Sequence, residues 1–316
     1  MARIVYDTAE ALIYDPVAGN RATTRSALYA IGFRRIETVA TLETFNEFIM
    51  RRPPDIAICE AHGAEAALCG AIQGLRQGHA AYNPFIVVIV TAWENSNSLV
   101  GRVVDSGADD LILRPYSTAG LEARIRAHVE RRKGFVITSD YVGPDRRRNT
   151  DAARDVELFK PPNSLKLKAV DRLSGEEAAL RIETELKAAR ETLISEKLRR
   201  DAFQICVLWR LMKGEDRPDG GSEVDLTKLR DTARAVSRRA RDTDFEDAVE
   251  WCESILDAIE GLEVGVDRNA SMHLLGRSAL NLNQVFSPAK TQDENLAEID
   301  ATVATIRARN RTAIAS

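Results

Sequence analysis

Pro54-Asp55-Ile56-Ala57-Ile58-Cys59-Glu60 is a short apolar run that follows a proline, Pro53, and ends on a carboxylate. The two prolines disfavour helix on their N-terminal side. A brief apolar run bounded in this way reads as a strand buried on both faces, the pattern of a parallel sheet. Glu60 then lies at the strand's C-terminal end. In open α/β sheets that edge is where ligands bind and chemistry takes place.

On either side of this run, short apolar strands alternate with helical stretches. Ala11–Tyr14 reads as a strand ending at Asp15, and Arg21–Ile31 as a helix stopped by Gly32. Arg35–Ala40 is a second strand, and Leu42–Met50 a second helix. After Glu60, Ala64–Gln77 has helical spacing. Phe85–Val90 is a continuous β-branched run, as a central parallel strand requires. Leu99–Ser106, Asp110–Leu113 and Leu121–Arg132 supply a helix, a strand and a helix. Five βα units in this order predict a doubly wound parallel sheet.

Beyond Lys133 the pattern changes. Residues 134–172 carry breaker signals, Gly143-Pro144 and Pro161-Pro162-Asn163 among them, and read as a linker whose apolar residues pack in part on their neighbours. From 173 to 316 strand signals disappear. Ser174-x-x-Glu177, Ser222-x-x-Asp225, Thr243-x-x-Glu246 and Thr291-x-x-Glu294 are helix-start signals around amphipathic stretches. Four or five such helices make a bundle. In the first helix the apolar positions step by four, three and four through Leu193, then jump five to Leu198. The buried stripe there must rotate, or the helix must bend. The domains expected are therefore 1–133, a linker at 134–172, and an all-α domain at 173–316.

Composition limits the function. Of 316 residues, 44% are hydrophobic and 29% charged, the balance of a globular protein. No apolar run is long enough to span a bilayer, and the N-terminus lacks a signal-peptide core, so a cytoplasmic protein without membrane contact is expected. The four cysteines are scattered in apolar surroundings and read as buried hydrophobes. Residues 1–133 hold 15 basic and 15 acidic residues, and the remainder 29 and 33. The lack of a basic excess disfavours nucleic acid as a partner. The sequence contains no P-loop, GxSxG or HExxH, and residues 173–316 offer no catalytic constellation. An enzyme is not expected.

The stretches Leu12-Ile13-Tyr14-Asp15-Pro16, Pro54–Glu60, Val90-Thr91-Ala92 and Ser106-Gly107-Ala108-Asp109-Asp110-Leu111-Ile112-Leu113-Arg114-Pro115-Tyr116 together resemble response-regulator receivers of the CheY-like family over residues 1–133. The resemblance implies a flavodoxin-like fold with a phosphorylation pocket at the C-terminal edge of the sheet. It places Asp15 among the Mg²⁺-binding acids, Glu60 at the phosphoacceptor position, Thr91 at the signalling hydroxyl, Arg114 at the phosphate-binding lysine, and Pro115 at a proline often preceded by a cis peptide. Three positions depart from the pattern. Pro16 replaces a metal-binding acid and has no side-chain oxygen. Glu60 replaces an aspartate, and Arg114 a lysine, although a planar guanidinium is not equivalent to an ammonium. Leu111 stands where many receivers carry an aromatic switch residue.

These departures imply a degenerate site. A displacement of about 1 Å can cost on the order of 10²-fold in rate, so phosphotransfer to Glu60 is disfavoured and no cofactor, Mg²⁺ included, is expected. Glu60 is expected to pair with Arg114 and reach Thr91, mimicking a phosphorylated state. Asp15 reads equally well as a helix cap or a pocket acid. The function implied is that of a pseudo-receiver in two-component or phosphorelay signalling. Its expected partners are a histidine kinase or a downstream regulator, with a homodimer through the helical domain as a further possibility. One alternative is a phosphorylatable regulator that uses Glu60. Another is a histidine-phosphotransfer-like C-terminal domain built on His273, where the nearby Gly276 comes one residue early and the expected lysine is missing. Tyr141-Val142-Gly143-Pro144-Asp145-Arg146-Arg147 resembles a tail motif of some receiver-containing proteins. It reads as a solvated basic loop.

Overall fold

The computed structural model describes residues 4–78, 83–147, 158–171, 175–213, 223–241, 243, 245–265 and 267–315. The chain divides into two compact units, 1–191 and 192–316. Each is described by itself.

The first unit is built on a five-stranded parallel sheet: β1 (Glu10–Tyr14), β2 (Arg35–Val39), β3 (Ile56–Glu60), β4 (Val87–Ala92) and β5 (Asp110–Leu113), in the order β2-β1-β3-β4-β5. Helices α1 (Ala18–Ile31), α2 (Leu42–Arg51), α3 (Glu65–Arg76), α4 (Asn97–Asp105) and α5 (Thr118–Arg131) connect the strands. Every residue of β3 and β4 is buried, as central strands covered on both faces must be. Two apolar clusters form on the sheet. One gathers Ile13, Ile58 and Ile89 with Leu28 and Ile125; the other gathers Leu12, Cys59 and Val90 with Phe45, Leu68 and Val103. Residues adjacent in a strand fall into opposite clusters, as the period-two alternation of a strand dictates.

The chain continues past α5 through a short antiparallel pair, β6 (Phe135–Ile137) and β7 (Val142–Pro144), and a one-and-a-half-turn helix, α6 (Ser164–Ala169). Three short elements of residues 134–171 are therefore regular, and they belong to the first compact unit. Leu165 and Ala169 of α6 join the first apolar cluster, and Lys168 Nζ donates to the buried carboxylate of Asp55 at 2.8 Å.

The long helix α7 (Gly175–Met212) crosses the division at 191/192. The second unit contains its C-terminal part with α8 (Glu223–Ala240), α9 (Glu246–Val264), α10 (Arg268–Phe286) and α11 (Gln292–Ala315). These helices enclose one core that includes Ile205 and Trp209 of α7, Val236 of α8, Ile255 and Ile259 of α9, Leu282 of α10 and Ile299 of α11. α7 is continuous at the phase jump, so the stripe rotates. Lys197, almost fully buried, occupies the turn between Leu193 and Leu198. The Thr291 signal is a true capping box: Glu294 N–H donates to Thr291 Oγ1 at 3.3 Å, and Thr291 N–H donates to Glu294 Oε2 at 2.8 Å. The signals at Ser174 and Ser222 lie outside the described residues.

Candidate functional site

The C-terminal edge of the first sheet brings together residues from four strand ends. β1 ends one residue before Asp15, and β3 ends on Glu60. Glu60 lies in register with Thr91 of β4, and β5 leads into Arg114. The Arg114–Pro115 peptide bond is cis.

At the centre lies the Arg114 guanidinium, its side chain 6% exposed. Nε donates to Glu60 Oε2 at 2.6 Å, and an NH2 proton reaches Asp15 Oδ2 at 3.2 Å. Glu60 Oε2 also accepts from the Thr91 hydroxyl at 2.8 Å, while Oε1 accepts from the His62 backbone N–H at 3.0 Å. Both carboxylate oxygens of Glu60 are therefore engaged. Asp15 is fully buried. Its Oδ1 accepts the Val17 N–H at 2.8 Å, which closes a tight turn just before α1, and its Oδ2 meets Arg114. Burial pushes the Asp15 carboxyl above the usual carboxylate range, against the opposing pull of the Val17 N–H and Arg114.

The sequence suggested that Arg114 pairs with Glu60. In the structure the guanidinium divides between two acids. β1 and β3 are neighbours in the sheet, so an arginine arriving from β5 spans both strand ends. His62 N–H already holds the second oxygen of Glu60. Further participants were not anticipated. Thr24 of α1, fully buried, accepts from Arg114 NH2 at 3.2 Å and bonds the Tyr116 hydroxyl at 2.8 Å. Its signal was available: Thr24 shares the buried face of α1 with Ala27 and Leu28, where a hydroxyl needs a partner. Trp93 and Tyr116 flank the guanidinium, with ring centroids 5.9 Å and 5.0 Å from Cζ. Pro16 is exposed and adds no side-chain donor. Among the described residues no group of three His, Cys, Asp or Glu side chains is arranged to hold a metal ion.

No protein-family model and no curated protein matches the sequence. The N-terminal region is similar to solved receiver domains. The chemotaxis protein CheY4 of Vibrio cholerae matches at 16% identity over 37% of this chain and 96% of its own, with a TM-score of 0.34. An orphan response regulator of H. pylori matches at 22% identity over 39% and 97%, with a TM-score of 0.33. A signal receiver domain from Bermanella marisrubri matches at 19% identity over 38% and 98%, with a TM-score of 0.35. In the chain itself, the strand order β2-β1-β3-β4-β5 is that of the flavodoxin-like doubly wound sheet, with the acids at its C-terminal edge. The first unit has the flavodoxin-like fold.

The tail motif packs against this receiver unit. Gly107 has a φ of +84°, and a Cβ there would collide with the Val142 carbonyl. A Cβ on Gly143 would lie 2.6 Å from the Gly107 Cα. Only glycines permit this approach. The Arg146 guanidinium donates to the carbonyls of Ala108 and Asp109, and the Tyr141 hydroxyl to that of Pro144 at 2.8 Å. Beneath lies the buried carboxylate of Asp109, 2.7 Å from Arg76 and 2.9 Å from Arg132. Burial lowers the Arg76 pKa to about 10 despite Asp109. Burial would raise Asp109, but Arg132 and Arg76 hold its carboxyl below the usual range. Arg146 and Arg147 are both exposed, as a solvated basic loop requires, but Arg146 is also anchored by those two carbonyls, while Arg147 pairs with Asp145.

His273 is exposed on α10. The neighbouring Gly276 lies flat against the Trp209 ring, where any Cβ would clash, so this glycine has a packing role of its own. All four cysteines are free and buried. Among the described residues no helix is long and apolar enough to cross a membrane.

Proposed function

We propose that this chain is an atypical response regulator. Its receiver unit would act as a pseudo-receiver in two-component or phosphorelay signalling, through protein–protein contacts and without aspartyl phosphorylation. The observation that carries this reading is the placement of Arg114, which bridges Asp15 and Glu60 while Glu60 also holds Thr91. A carboxylate that attacks phosphorus needs a free oxygen and cations on the incoming phosphoryl group. Here both oxygens of Glu60 are occupied. The charge that Mg²⁺ would bring is supplied by a guanidinium fixed to the chain. The donor set suits that guanidinium better than Mg²⁺, which calls for near-octahedral oxygen ligands. The Glu60–Arg114–Thr91 arrangement would hold the unit in one signalling state. Its partners would be a histidine kinase or a downstream regulator, met by binding and not by catalysis.

Titration with beryllofluoride and Mg²⁺, followed by amide chemical shifts, tests the reading. The expected result is no saturable change at Glu60, Thr91 or Tyr116. Saturable, Mg²⁺-dependent shifts at those residues would favour a phosphorylatable Glu60.

A further inference from the structure

The second unit carries two ladders of opposite charge on neighbouring helices. α9 contains seven acidic residues and neither Lys nor Arg. Glu250, Glu253, Asp257 and Glu260 follow one another at spacings of three or four along its exposed side. On α8 and the residue after it, Arg234, Arg238 and Arg241 do the same with positive charge. Like charges three or four apart on a helix repel, by about 0.2–0.5 kcal/mol per pair. Both ladders therefore carry a standing cost. Within the chain, Arg230 and Glu263 pair across α8 and α9. None of the seven ladder side chains makes an ion pair with another described residue.

We infer that these ladders form a dimer interface in which α8 of one copy lies along α9 of a second copy, and the reverse. This goes beyond the pocket reading and does not depend on it. The charge arrangement selects the partner. A ligand of one sign would relieve one ladder and oppose the other. A second copy carries both signs at the same helical spacing, and a two-fold axis satisfies both ladders at once. The lengths agree as well. The arginines span about 10 Å and the acids about 15 Å at a rise of 1.5 Å per residue, so one ladder fits within the other. The core-facing sides of the two helices, Leu229, Ala233 and Val236 on α8 and Cys252, Ile255 and Ile259 on α9, are already used inside the unit. Contact through the ladders leaves that packing intact.

The test uses the full chain and light scattering after size exclusion. At about 0.1 M salt, where charges act over about 10 Å, a dimer is expected. At about 1 M salt, with a screening length of about 3 Å, it should dissociate. Arg234→Glu with Arg238→Glu should give a monomer, and so should Glu253→Arg with Asp257→Arg. Mixing the two variants should restore a dimer, because each then meets the opposite charge. Circular dichroism checks that helicity is retained. If either reversal unfolds, Arg234→Gln with Arg238→Gln serves in its place, with an expected weakening of at least about tenfold. A monomeric parent chain at low salt, a dimer indifferent to the substitutions, or mixed variants that stay monomeric would overturn the inference.

Discussion

Removing Arg114 would strip the cation from two buried carboxylates, Asp15 and Glu60, that share its site. Arg114→Ala is therefore expected to cost about 3–5 kcal/mol at neutral pH, the usual penalty for stripping the partner from a buried charge. The pH dependence follows from Asp15. Its folded-state pKa is raised, so its contribution is full below the unfolded value of about 3.9 and is lost as pH rises through the folded value. Without Arg114 that loss should deepen. Urea melts at pH about 4 and pH about 7 should therefore separate the variant from the parent more widely at the higher pH. Thr24→Val removes the hydroxyl that receives Arg114 and meets Tyr116. It should cost about 1–3 kcal/mol, because a buried donor loses its acceptor. Chemical denaturation of the folded variant reads that loss directly.

The elements of the receiver unit were legible because each carries its own signal. β3 and β4 are unbroken apolar runs, α1 ends on Gly32 with a φ of +123°, and Thr41, Ser96 and Ser117 cap α2, α4 and α5 through their side chains. Asp15 and Glu60 were legible as strand-end carboxylates, and Thr91 and Arg114 through the family resemblance; a parallel sheet delivers all four strand ends to one edge. Thr24 was missed because its value lies in a tertiary contact. The β6–β7 pair was missed for a related reason. Gly143-Pro144 reads locally as a turn, and only the approach of Gly107 to Gly143 buries it, while Arg146 and Arg147 stay exposed. Arg76 was hidden within the apolar phase of α3, beside Ile72 and Leu75. Asp109→Asn should show how far this network matters. It leaves Arg76 buried without its counter-charge, at a cost of about 3–5 kcal/mol. Asp109 has a depressed pKa, so its stabilisation is present above about pH 3.9 and disappears as pH falls through the folded value. The variant should lose that acid limb in a pH series of denaturation midpoints. In the second unit, Thr291→Ala should lower stability by about 1 kcal/mol through loss of the capping box.

For the whole molecule, the first compact unit runs well past α5, and β6, β7 and α6 supply contacts that the sheet and its helices lack. A fragment ending at 133 loses Arg146, Lys168 and the apolar side chains of α6, and the buried carboxylate of Asp55 loses the Lys168 ammonium. Such a fragment should melt well below one ending at 171. Equal melting temperatures would remove the tail from the receiver unit's energetics. The central claim is that Glu60, held by Arg114 and Thr91, stands in for the phosphoryl group, with the guanidinium in place of its metal. The most direct measurement is the intact mass of the full chain after incubation with acetyl phosphate and Mg²⁺, in the parent protein and in Glu60→Asp with Arg114→Lys. The account predicts an unmodified parent. Stoichiometric phosphorylation of Glu60 in the parent would contradict it.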